Sequence, residues 1–144
     1  MIKNERQYRI GKAQAKKFER AISETAASRK GDIHPVLHKA QIEAMKSQVA
    51  DLRREIEEYE KLRSGKRKLV ALGSIEDLPK TLIQARIAAG FSQEELAAKL
   101  GLKPQQIQRY EATNYQSASL ERVNEIVRIL GVKLRYPAEL QLVS

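Results

Sequence analysis

Between Pro35 and Leu62 the chain runs without an internal Gly or Pro, and Ile42, Met45, Val49, Leu52, Ile56 and Tyr59 are spaced alternately by three and four positions. That spacing keeps all six on one narrow stripe of a helix, the pattern of a coiled-coil seam. Pro35 suits a first helical position, Asp32 is an acidic start signal and Ser64-Gly65 supplies the stop. Upstream, Lys12 to Lys30 reads as another helix with Ala15, Phe18, Ala21 and Ile22 available for burial, and Gly31-Asp32 would turn the chain. The two helices can form an antiparallel hairpin. The seam covers under three heptads, marginal as an isolated two-stranded coil but adequate if the first helix packs on it, so it is either the core of the hairpin itself or one half of a dimer interface.

After the hairpin the pattern loosens. Lys61 to Lys68 is rich in Lys and Arg around Ser64-Gly65 and reads as a linker. Leu69 to Leu72 is short and apolar and closed by Gly73, while Val132 to Tyr136 alternates apolar and basic residues before Pro137, so the two can pair as a minor β element. The expected division is residues 1–64 as the hairpin, 65–77 as a basic linker and 78–144 as a second domain.

In that second domain the punctuation is dense. Pro79 opens a helix through Ala89 that Gly90 ends. Ser92 can cap the next helix, Gln93 to Leu100, while Glu95 reaches back to the cap's own amide. Leu96, Leu100, Leu102, Ile107 and Tyr110 are the apolar positions of one bihelical unit. Gly101 permits the tight turn between the helices, and Ala97 is small enough to let their axes approach. Pro104 starts the second helix of the pair, where its missing N–H costs nothing. With Ile107 and Tyr110 inward at 100° per residue, Gln105, Gln108 and Arg109 point outward and Gln106 lies on the flank. Gln can bond adenine bidentately and Arg can bond guanine, each good pair discriminating by about 1–3 kcal/mol.

Composition adds a partner class and removes others. The formal charge of +9 favours polyanions, chiefly nucleic acid. Residues 1–67 hold 17 Lys and Arg against 10 Asp and Glu, residues 68–144 hold 10 against 8, so the excess lies outside the bihelical unit. It is either a solvated helical surface or a second surface for DNA or a partner. With no cysteine there is no disulfide, thiolate metal site or cysteine nucleophile. No phosphate loop or nucleophile elbow is present, and His34 and His38, four apart without a completing carboxylate, suit capping better than metal binding. An enzyme is not expected, nor is a cofactor. No apolar run spans a bilayer and the charged opening Met1 to Lys17 lacks the centre of a signal peptide, which points to a cytoplasmic protein without a membrane partner.

Five features together resemble the phage repressor and Cro helix-turn-helix family, often called the Xre family. They are Arg86, the Ser92-Gln93-Glu94-Glu95-Leu96 opening, Ala97 with Gly101, the helix Pro104 to Glu111, and the helix Leu120 to Leu130 followed by Gly131-Val132. The resemblance covers Leu82 to Val132. It implies a mainly α protein, the N-terminal hairpin or coiled coil being followed by a lambda-repressor-like five-helix domain. It also implies a double-stranded DNA partner, with Gln93 touching phosphate, Lys103, Gln105, Gln106 and Arg109 facing the major groove, and Asn114 and Tyr115 making further phosphate contacts. Arg86 and Glu111 match a pair that joins the first and third helices of the domain in some members. Members of this kind are commonly repressors; one module buries less than a specific regulator usually needs, so a homodimer is expected, paired either through the N-terminal hairpin or through the helix Leu120 to Leu130 with the tail Val132 to Val143. Some, of the HigA-like kind, are antitoxins whose helical regions engage a toxin protein. Lys103-Pro104 departs from the small polar residues usual at the start of the recognition helix.

Overall fold

The structure is a computed structural model and describes residues 1–28, 34–65 and 72–133. It divides into two compact units, Met1–Arg67 and Lys68–Ser144. All regular structure among the described residues is helical. The proposed turn at Gly31-Asp32, the pairing of Leu69 to Leu72 with Val132 to Tyr136, and the C-terminal tail fall wholly or mainly outside the described residues.

The first unit is a helical hairpin of α1 (Glu5–Ala27) and α2 (Pro35–Arg63). The first helix begins at Glu5, seven residues before the expected Lys12. The Asn4 side chain accepts from the Gln7 amide and caps it there, so the charged opening becomes a solvated helical surface. Gly11 does not interrupt it. It is buried in the helix with Ile2 and Ile56 packed above it. Three sets of polar contacts fix an antiparallel pairing. Near the start of α1, Tyr8 donates to Glu60 at 2.5 Å and stacks on Tyr59, while Glu5 pairs with Arg63 at 2.8 Å. Midway, Glu19 pairs with Arg53 at 2.6 Å, and near the end the His38 ring lies 3.0 Å from the Thr25 carbonyl.

The seam of α2 faces this interface. Val49 and Tyr59 are buried, and Ile42, Met45, Leu52 and Ile56 are half-buried. Leu62, fully buried, extends the stripe by one more step of three. The start of α2 is set by His34, whose Nδ1 accepts from the Val36 amide, and by Pro35 in the first turn; Asp32 lies outside the described residues.

The second unit has a single 3-10 turn (Ile75–Asp77) followed by α3 (Leu78–Ala88), α4 (Gln93–Lys99), α5 (Pro104–Ala112) and α6 (Leu120–Ile129). Against the five helices expected, the described residues thus hold four α-helices and that turn. Leu82, Ile83, Leu96, Ala97, Ile107 and Ile126 form the core, none more than 1% exposed. Ser92 and Glu95 exchange hydrogen bonds across the first turn of α4, 2.7 Å from the Ser92 amide to Glu95 and 3.1 Å from the Glu95 amide to the Ser92 hydroxyl. Gly101 sits at φ +66° between α4 and α5, a conformation that costs an L side chain about 1–2 kcal/mol. The Leu102 amide there bonds back to the Ala97 carbonyl at 2.8 Å, closing the bend over the small residue.

Candidate nucleic-acid interface

Helix α5 presents the candidate surface. Ile107 is fully buried and Tyr110 half-buried, so the helix is held by one face. Gln105, Gln106, Gln108 and Arg109 are exposed on the rest of it, with Lys103 exposed just before its first turn. Gln106 has a local duty as well: its side-chain oxygen accepts from the Lys103 amide at 3.2 Å and caps the helix in place of a small polar residue. This accounts for how Lys103-Pro104 can open the helix. Gln105, Gln108 and Arg109 remain as long, polar, outward side chains on a rigid element.

The rigidity comes from a buried cluster beneath them. The Glu111 carboxylate of α5 receives Arg86 of α3 through Nε at 2.5 Å and Nη2 at 2.9 Å, and the Gln93 amide of α4 at 2.7 Å. Arg86 also donates through Nη1 to the Phe91 carbonyl at 2.8 Å, in the turn between α3 and α4. Arg86 is 2% exposed and Glu111 fully buried. Charges in this setting hold only when paired and hydrogen-bonded, so the geometry of three helices is tied to one carboxylate. The same carboxylate orients α5 against α4, and hence the outward face of α5.

Two residues expected at the surface are inside. Gln93 is 5% exposed, with its amide given to Glu111, because the first position of α4 points at α5 across the bend. Its side chain braces the unit by turning its amide to Glu111. Tyr115 is also 5% exposed. After α5 the chain passes through two left-handed residues, Asn114 at φ 49° and Tyr115 at φ 59°, and this turn swings the Tyr115 ring inward to stack 6.2 Å from Tyr110. The Tyr115 hydroxyl is buried without a hydrogen-bond partner. Burial and the neighbouring Glu111 charge raise its pKa well above the ordinary tyrosine range. Asn114 stays exposed at the tip of the turn. Sequence reasoning placed Gln93 and Tyr115 by family position; neither their inward direction nor the part of the Phe91 carbonyl has a signature in residue type.

The two histidines hold separate places, His34 as the cap of α2 and His38 against the Thr25 carbonyl. Among the described residues no three His, Asp or Glu side chains are grouped to hold a metal, and no helix is long and apolar enough to cross a membrane.

Two short helices crossing at a glycine, with a polar outward face on the second, define a helix-turn-helix protein. Residues 82–136 match the helix-turn-helix family model, and this part of the chain is a helix-turn-helix domain of the Xre, lambda-repressor type. The match supports a DNA-binding role for this domain. No curated protein and no solved structure matches it significantly.

Proposed function

We propose that the protein is a sequence-specific transcriptional repressor that lays α5 in the major groove of duplex DNA and works as a homodimer. The observation that carries this reading is the outward set Gln105, Gln108 and Arg109 on a helix anchored by buried Ile107 and Glu111. These side chain types bond purine edges bidentately. Lys103, exposed just before α5, is available to the major groove with them, and Asn114, exposed in the turn after it, to a phosphate that fixes register.

A single module of this size buries about 600–1,000 Å² on DNA, less than specific regulators usually need. Two modules related by a two-fold axis would engage half-sites about 34 Å apart on a palindromic operator. Occupying a promoter is then sufficient for repression. An antitoxin would share this DNA-binding half and differ in what its N-terminal hairpin engages; co-expression with the product of an adjacent reading frame separates the two.

Selection from a randomised duplex pool tests the proposal. The wild-type chain should enrich an inverted repeat, and Arg109→Ala should lose preference at one position in each half-site while keeping its affinity for mixed-sequence DNA. Enrichment of no sequence, or equal loss on every sequence, would refute base reading by α5.

A further inference from the structure

The charge of the hairpin is unevenly shared between its helices. Helix α2 carries six Lys and Arg and six Asp and Glu. Several of its cations are locally paired: Lys46 with Glu43, Arg54 with Asp51 and Lys61 with Glu57. Helix α1 carries Arg6, Arg9, Lys12, Lys16, Lys17 and Arg20 against Glu5, Glu19 and Glu24. Glu19 is drawn to Arg53 of α2, and Glu5 is shared between Arg63 of α2 at 2.8 Å and Arg9 of α1 at 3.9 Å. Glu24 lies one turn beyond Arg20.

All six α1 cations are exposed. At 100° per residue they fall within about 140° of arc, centred opposite the buried Gly11 and Ala15. Arg6, Lys16, Lys17 and Arg20 have no carboxylate partner among the described residues. Exposed Ala13 sits in the middle of the arc and offers no steric barrier to a flat approach. From Arg6 to Arg20 the stripe is about 21 Å long at 1.5 Å per residue, which matches about six base pairs of duplex at 3.4 Å each.

We infer that the outward face of α1 is a second nucleic-acid surface, a sequence-independent clamp on the phosphate backbone of duplex DNA. The occupant follows from the chemistry. A stripe in which four of six cations have no carboxylate partner, with Ile10 the one large apolar side chain exposed beside it, complements a regular polyanion better than a folded protein partner, whose interfaces need a desolvated apolar centre. A tethered phosphate surface raises the effective concentration of the helix-turn-helix at DNA without adding base recognition. The inference rests on the reading of the protein as a DNA-binding regulator.

The test is a salt titration of binding to a 40-base-pair duplex of mixed sequence, using the full chain. The variant Arg6→Gln/Lys16→Gln/Lys17→Gln/Arg20→Gln should keep the wild-type thermal midpoint, since all four positions are exposed and Gln is a good helix former. The slope of log K against log salt should fall in magnitude by about 2–4, at about 0.9 for each phosphate that is no longer neutralised. Lys16→Gln/Lys17→Gln alone should lower it by about 1–2 on the same basis. A charge-matched control on α2, Lys39→Gln/Lys46→Gln/Arg54→Gln/Lys61→Gln, should leave it within about 1 of wild type. An equal fall in stripe and control variants would mean only net charge matters and would overturn the inference. An unchanged slope in a stripe variant, with the wild type binding, would overturn it too. A wild-type chain that fails to bind the duplex at low salt would overturn the regulator reading itself.

Discussion

Removing Glu111 should collapse the helix-turn-helix, and removing Arg86 along with it should restore much of the stability. In Glu111→Leu the Arg86 guanidinium stays buried without its counter-charge, and breaking a buried pair in this way costs about 3–5 kcal/mol. The Gln93 amide is deprived of its acceptor as well, adding about 1–3 kcal/mol for a buried donor left unmade. The sum, about 4–8 kcal/mol, is a large share of the roughly 5–15 kcal/mol that holds an ordinary domain. In Arg86→Met/Glu111→Leu no charge is buried. The Gln93 amide and the Phe91 carbonyl lose those partners but no charge is stranded, so the double variant should lie at least about 2 kcal/mol above the single one. Hydrogen exchange read by mass spectrometry on peptides from residues 82–112 isolates this unit from the hairpin. If Glu111→Leu cost no more than about 1 kcal/mol, or if the double variant were as unstable as the sum of the two singles, the claim that one carboxylate ties three helices would fail.

Three further outcomes are expected. Gly11→Ala should stabilise the hairpin by about 0.5–1 kcal/mol in thermal denaturation, because an added Cβ would meet Ile2 at 3.5 Å and Ile56 at 3.9 Å, ordinary van der Waals distances, and glycine is costly inside a helix; a lower midpoint would show that the packing there has no room. Tyr115→Phe should raise stability by about 1 kcal/mol at neutral pH by removing a buried, unpartnered hydroxyl. Since the folded-state pKa is raised, the unfolded chain ionises first as pH climbs past about 10, so the wild type should lose stability there and the Phe variant should lose less; identical alkaline profiles would contradict this. Glu95 has its pKa lowered by the Ser92 amide and hydroxyl, so its contribution is present above the unfolded value of about 4.3 and is lost as pH falls through the folded one. Amide protection at the start of α4 should therefore drop in acid, and Glu95→Gln, which keeps the cap without the charge, should flatten that dependence.

The fold class was legible because its signals are local and periodic. The three-four spacing from Ile42 to Tyr59, the Ser92 and Glu95 cap, and the small residues Ala97 and Gly101 each act through neighbours in sequence. The start of α1 was less legible. Its first turns expose charge and contain Gly11, and what carries the helix through them forms when the hairpin packs: Ile2 and Ile56 over that glycine, Tyr8 against Glu60 and Tyr59, and Glu5 with Arg63.

Within the candidate site, residue type and spacing were enough to direct Gln105, Gln108 and Arg109 outward, since one helix has one period and Ile107 sets its phase. Gln93 and Tyr115 were beyond that reach. Whether a polar side chain at a helix end turns to solvent or inward depends on an acceptor eighteen residues away, Glu111, and on two left-handed residues that rotate a ring onto Tyr110. Sequence alone determined the elements and their outward faces, because helical periodicity and capping are encoded within a few residues. Tertiary structure decided which polar groups are buried and which cations go uncompensated, because those outcomes are settled by partners that meet only when the helices pack.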